Sequence, residues 1–203
     1  MEERNYILTD ETIRIDAHVL HRIKCIRAFA GVREGKFGGF VENYDNLSEK
    51  AWVSDNAKVY DKAVVADDAL VAGDAQVFGD AQVFGAARVF GAARVFGAAR
   101  VFGAARVFGD AWVFGAAQVF GDARVSGNVN LCGDAKVQAK EDYIVFKNWW
   151  SSGRYFTWTR SNDRWRAGCF YGTGEDLVKK AFLDSEKSGL EYERIVKYVE
   201  EIK

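Results

Sequence analysis

Histidine is nearly missing from this chain. Only His18 and His21 occur among 203 residues, so a three-histidine zinc site cannot be assembled. The three cysteines, Cys25, Cys132 and Cys169, are odd in number and scattered. They lack metal or redox spacing and read as free thiols of a reducing compartment. No Ser-His-Asp set, phosphate-cradling glycine loop or interpretable carboxylate pair is present, and no cofactor is expected. No run of 18 apolar residues occurs, and Met1 is followed by Glu2, Glu3 and Arg4 rather than by a basic-then-apolar leader. The reading is therefore a soluble, cytoplasmic protein with no membrane partner. A net charge of −1 exerts no global pull on nucleic acid or an acidic partner. Proline is absent altogether.

What is present is a repeat. From Ala51 to Lys140 the chain reads as fifteen consecutive six-residue units of the form Ala-x-Val-Phe-Gly-(Asp/Ala), with no insertion and no frame slip. A period of six fits neither a plain strand nor a helix. A helix would carry a glycine in almost every unit, each costing ~1 kcal/mol relative to alanine. A short strand followed by a glycine-bearing turn fits, and that is a β-helix. The first position is Ala except at Val129, and the third is Val except at Leu131. Being two apart on a strand, they share a face and point inward. The second position holds Trp, Lys, Val, Leu, Gln, Arg and Asn, so it faces out. The fourth holds Phe eight times but also Ser54, Ser126 and Gln138, so it is at least partly exposed.

The small–variable–aliphatic spacing resembles the hexapeptide-repeat, left-handed parallel β-helix family. That resemblance implies three hexads per triangular coil, hence about five coils and a prism roughly 24 Å tall at ~4.8 Å per strand. The left hand comes from the family and runs against the usual right-handed crossover rule. Many members are acyltransferases with a histidine general base on the prism. Here the repeat holds no histidine and no loop interruption to shape an acceptor site, so the chain reads as not an enzyme. The stretches NYILTDETI, LHRIK and GGFVENYDNLS resemble the head of uncharacterised hexapeptide-repeat proteins from bacteriophages and gut bacteria, some labelled polymer-forming. This implies a fold and a phage setting rather than an activity.

Three regions follow. Residues 1–50 form an N-terminal β cap, with strands at Asn5–Thr9 and Thr12–Asp16 around a Thr9-Asp10-Glu11 turn and another at Leu20–Phe29. Gly35, Gly38 and Gly39 make a turn-rich passage, and Val41 and Leu47 already stand in the inward register. Residues 51–140 are the β-helix. Residues 141–203 are a small α+β module. Its strands are Tyr143–Asn148, Arg154–Arg160 and Arg164–Tyr171. A helix follows, capped by Thr173 and carrying Leu177, Val178, Ala181 and Phe182 on one face; Gly189 separates it from a second. The aromatics of this module, including Trp149, Trp150, Trp158 and Trp165, either pack a sheet against two helices or form a stacking platform for bases or sugars. Arg154, Arg160, Arg164 and Arg166 interleave with them.

Outward positions 18 apart would stack into columns: Trp52, Leu70, Arg88, Arg106, Arg124; Lys58, Gln76, Arg94, Trp112, Asn130; and Val64, Gln82, Arg100, Gln118, Lys136. Successive arginines ~4.8 Å apart repel by only about 1 kcal/mol in water, so the row is either a solvated ladder or an anion site. The rings stack likewise, as Phe78, Phe96 and Phe114; Phe84, Phe102 and Phe120; and Phe90 with Phe108. Three such columns exceed the ~300–600 Å² patch that soluble monomers usually leave bare, so at least one is expected to be covered, by a symmetric partner or by the C-terminal module. The expected function is a non-catalytic binding or assembly scaffold, a homo-oligomer or partner of another protein. The alternative is a phage-borne binder of nucleotides or nucleic acid that blunts a host defence.

Overall fold

The structure, a computed structural model, describes residues 4–203. Fifteen two-residue strands, β4–β18, follow at six-residue intervals from Trp52–Val53 to Lys136–Val137. Each occupies the second and third positions of a unit and pairs in parallel with the strand three units on; Arg88 lies beside Arg106 and Val89 beside Val107. The fifteen sort into three parallel stacks, so three units make one coil and the repeat is a β-solenoid of about five coils. Second and fourth positions donate along the stack, as in Arg106 N–H to Ala123 O (2.8 Å) and Phe108 N–H to Val125 O (2.9 Å).

The lining is as the alternation requires. Every first- and third-position side chain from Ala51 to Val137 is at most 1% exposed. Burial of each Val contributes on the order of 1.5–3 kcal/mol gross, offset by the entropy of ordering the chain, so stability rests on stacking. The fifth position turns the chain in the left-handed region, with Asp55, Asp61 and Asp67 at φ 57–60° and then eleven glycines at 63–74°. Aspartate tolerates this conformation because its short polar side chain bonds locally; the Asp67 carboxylate accepts from Gly85 N–H at 2.9 Å.

The N-terminal cap differs from the sequence expectation. One strand, β1 (Tyr6–Ile15), runs through Thr9-Asp10-Glu11 and pairs with β2 (His18–Cys25). The register slips between Leu8 and Thr12, so that stretch is a bulge, and the turn falls where Asp16 adopts φ 50°. β2 ends at Cys25 rather than Phe29 because the chain folds back there, with Gly35 N–H bonding to Cys25 O (2.8 Å). β3 (Phe37–Val41) pairs antiparallel with β2 and parallel with the Lys58–Val59 strand. Gly38 and Gly39 therefore lie inside a strand, not a turn. A Cβ on Gly38 would sit 2.8 Å from the Trp52 ring. That ring, expected to face outward, is 4% exposed beneath the cap, with the Phe29 ring edge-on to it at 5.9 Å.

The C-terminal module has four antiparallel strands rather than three: β19 (Tyr143–Lys147), β20 (Tyr155–Thr159), β21 (Arg164–Ala167) and β22 (Phe170–Gly172). The expected Arg164–Tyr171 strand is broken by a turn at Gly168, φ 59°. Helix α1 (Gly174–Asp184) starts at Thr173, whose hydroxyl accepts from Asp176 N–H, and buries Leu177 and Ala181. Phe182 is largely exposed. Ser185, not Gly189, separates α1 from α2 (Glu186–Ile202), ending one helix and capping the next. Gly189 is buried within α2, where any side chain would collide with the Phe182 ring.

Both open edges of the stack are met in part by polar groups of the flanking regions. At the first coil, Asn46 donates its side-chain amide to Asp61 O (2.9 Å) and Ala63 O (2.8 Å). At the last coil, N–H groups on two of the three faces find acceptors on the module. Asn130 N–H bonds to Thr157 Oγ1 (3.1 Å) and Lys136 N–H to Ser161 Oγ (2.7 Å). Asp142 accepts from Gln138 and Ala139 N–H at 2.7 and 2.8 Å. Backbone groups paired in this way are not free to template further strands.

Candidate binding surface

The outward columns form in the expected register. Trp52, Leu70, Arg88, Arg106 and Arg124 are successive partners, as are Lys58, Gln76, Arg94, Trp112 and Asn130. Val64, Gln82, Arg100, Gln118 and Lys136 complete the third face. The arginines of the three faces are not equivalent. The Arg94 guanidinium lies over the Trp112 ring at 5.4 Å and donates to Gln76 Oε1 at 3.2 Å. Arg100 lies over Phe84 and Phe102 at 5.2 and 5.3 Å. Arg88, Arg106 and Arg124 are exposed, and no ion pair among the described residues involves them.

The phenylalanines at the corners stack face to face at the repeat of the coils. Phe78, Phe96 and Phe114 are spaced by 4.9 Å, Phe84, Phe102 and Phe120 by 5.0 and 5.2 Å, and Phe90 and Phe108 by 4.9 Å. All eight are half-buried: neighbours hide the ring faces and the edges look outward. The first column is closed at both ends. Tyr60 stacks on Phe78 at 5.1 Å and packs with Leu20 and Phe40 of the cap. At the far end the Arg166 guanidinium lies over Phe114 at 5.4 Å.

The C-terminal aromatics divide. Trp158 and Trp165 are 0% and 1% exposed and Trp150 is 9% exposed, packed with Phe156, Leu177 and Val199 in a separate core. They therefore do not form an open stacking platform: Trp158 and Trp165 on the sheet and Trp150 in the turn after β19 are covered by α1 and α2. Trp149 alone of the four remains open, at 70%. Arg160 lies over Trp158 at 5.5 Å and donates to Glu141 O, so it braces the module. Arg154 goes elsewhere, into a cleft of about 400 Å³ between the Trp112 face and the module. The sequence reading missed Asp110, Asn128, Asn130 and Tyr155 as members of that cleft.

Neither histidine faces it. His18 Nδ1 meets Glu42 Oε1 at 2.9 Å, and the ring packs against Tyr60; His21 Nδ1 meets Thr9 O at 3.0 Å. The bond to Glu42 raises the His18 pKa above its ordinary 6.5. A folded value above the unfolded one contributes stability that is complete below pH 6.5 and is lost as pH rises through the folded value. Proton-NMR titration should place His18 above 6.5, and Glu42→Gln should bring it down. Burial pushes the Cys132 thiol up to about 11, leaving Cys169 the one exposed thiol. Among the described residues no group of three or more His, Cys, Asp or Glu could hold a metal ion, and no helix is long and apolar enough to cross a membrane.

The family model of the YdcK beta solenoid repeat matches residues 117–133, which run from the fourth coil into the fifth. No curated protein matches the chain. The matched segment and the parallel three-faced stack agree, and the chain is a β-solenoid repeat protein.

Proposed function

We propose that this protein is a non-enzymatic binding or assembly scaffold that docks a protein partner, or a second copy of itself, through its arginine and phenylalanine columns. The observation that carries this reading is the arginine row. Arg88, Arg106 and Arg124 stand in register on adjacent strands, exposed and, among the described residues, without a carboxylate partner. Phe84, Phe102 and Phe120 precede them in the chain, and Phe90 and Phe108 follow the first two while Ser126 follows Arg124, so Arg88 and Arg106 are each flanked by two rings and Arg124 by one. An anionic surface set against the row removes the repulsion within it, and the ring edges add apolar contact area. Left-handed winding, a phage origin and a place in the host cytoplasm go with this reading, on the strength of the hexapeptide spacing and the phage-like head segment.

Arg106→Glu tests it, since the outward slot already accepts Trp, Gln and Lys and the fold should persist. The variant is expected to leave a heparin column at clearly lower salt than wild type; retention at the same salt would remove the row as an anionic docking surface. Light scattering on wild type and on the triple Phe84, Phe102, Phe120→Ser variant tests self-association. A mass that falls supports assembly, and an unchanged monomer in both ends it.

The second reading is a phage-encoded binder of nucleotides or nucleic acid that antagonises a host defence. Guanidinium groups gathered beside exposed rings at the C-terminal end of the solenoid favour it. An acyltransferase relative that lacks the catalytic histidine stands behind both, and acyl-CoA turnover would revive it.

A further inference from the structure

We infer that the cleft between the Trp112 face and the C-terminal module is a nucleotide site, taking a nucleoside monophosphate. Its base lies on Trp112, and its phosphate lies between Arg154 and Arg166. This deepens the nucleotide reading and does not depend on the arginine row, which occupies a different face.

The cleft is lined by Asp110, Trp112, Phe114, Asn128, Asn130, Arg154, Tyr155 and Arg166, with Gly168 at its edge. Its volume of about 400 Å³ falls in the range of ~300–1,000 Å³ typical of small-molecule sites. Trp112 stands in a row that is otherwise Lys58, Gln76, Arg94 and Asn130, yet its indole is 40% exposed. Arg94 lies over that ring and Phe96 meets it edge-on at 6.1 Å, so the indole is held in place from the preceding coil. Its next neighbour in the row is Asn130, which lines the cleft with it. A ring fixed on one side and open beside a cleft is a pre-organised stacking surface. Tyr155, 39% exposed, offers a second ring on the module side.

Charge decides what kind of planar ligand fits. Two guanidinium groups line the cleft against the single carboxylate of Asp110, and no ion pair among the described residues uses Arg154 or Arg166. Arg166 is steadied by the Phe114 ring. Unpaired guanidinium forks match phosphate oxygens two at a time. Asp110, Asn128 and Asn130 supply acceptors and donors for ribose hydroxyls and base edges. A neutral aromatic would leave both arginines unpaired, and inorganic phosphate alone would leave both rings bare.

Isothermal titration of the full chain with adenosine 5′-monophosphate, adenosine and inorganic phosphate tests this. Saturable binding of the monophosphate is expected, with adenosine and phosphate each at least about 10-fold weaker. Trp112→Gln, which places in the row a residue it already carries at Gln76, should weaken the monophosphate by about 10-fold or more. Arg154→Gln should do the same and flatten the salt dependence, while Arg88→Gln should bind as wild type does. No saturable binding to wild type, or equal binding by Trp112→Gln, overturns the site. A loss confined to Arg88→Gln also overturns it and transfers the anion to the arginine row. Intact heparin retention by Trp112→Gln separates failure of this site from failure of the docking surface.

Discussion

Replacing Gly103 with valine is expected to cost about 2–5 kcal/mol, from backbone conformation and overpacking together, and so to lower the melting temperature by roughly 4–20 °C, at about 2–4 °C per kcal/mol for a chain of this size. Two costs coincide at that position. Gly103 sits at φ 73°, a conformation that costs an ordinary residue about 1–2 kcal/mol. A Cβ there would also lie 3.0 Å from Gly121 N and 3.2 Å from Gly121 O, backbone atoms that cannot rotate away, and a branched side chain adds to the crowding. Controls separate the two costs. Gly127 has the same turn, φ 74°, with nothing within 4 Å of a Cβ, so Gly127→Ala should show the conformational cost alone. Gly103→Asp should be milder than Gly103→Val, because Asp55 and Asp67 occupy equivalent turns and bond their carboxylates to the glycine N–H 18 residues on. Thermal denaturation followed by circular dichroism reads all three. Equal melting of Gly103→Val and wild type would mean that the coils do not approach as described.

Val107→Asp is expected to abolish folding, whereas Arg106→Glu, one residue away, should stay within about 0.5 kcal/mol of wild type. Val107 is 0% exposed and pairs with Val89 and Val125 along the interior. Its neighbours there are alanines and valines, which offer a carboxylate no donor. An unpaired buried charge costs several kcal/mol even after relaxation, a large part of the ~5–15 kcal/mol that holds a typical domain together. Soluble yield and a urea melt report the outcome. A soluble Val107→Asp protein with the wild-type midpoint would refute the inward assignment of every third position.

How far the sequence could be read follows from where the information lies. The lining and the columns were legible because a six-residue period repeated without a slip determines, unit by unit, which side chains face the axis and which partners stand 18 residues on. Val41 and Leu47, in the same register, were legible for the same reason. The cap was misread where local turn chemistry competed. Thr9-Asp10-Glu11 looked like a turn, but pairing with β2 absorbed it as a bulge and left Asp16 to reverse the chain. Gly189 looked like a helix break because a glycine's packing role, here the approach of Phe182, has no local signature. The cleft was not legible at all. Trp112, Asn130, Arg154 and Arg166 meet only because the module docks on the last coil through Thr157 and Ser161, and nothing in either segment announces that contact.

The three-unit coil also acts as a gear for everything attached to its far end. Deleting or duplicating 18 residues of the near-identical central units would shorten or lengthen the column by one coil and bring the C-terminal module back over the same face. A slip of a single hexad there would instead swing the module, together with Trp112 and the last coils it docks on, by roughly a third of a turn relative to the N-terminal cap, re-phasing the outward columns while every coil stayed intact. A change in unit number thus preserves how the cap and the module face one another in steps of three and alters it in steps of one.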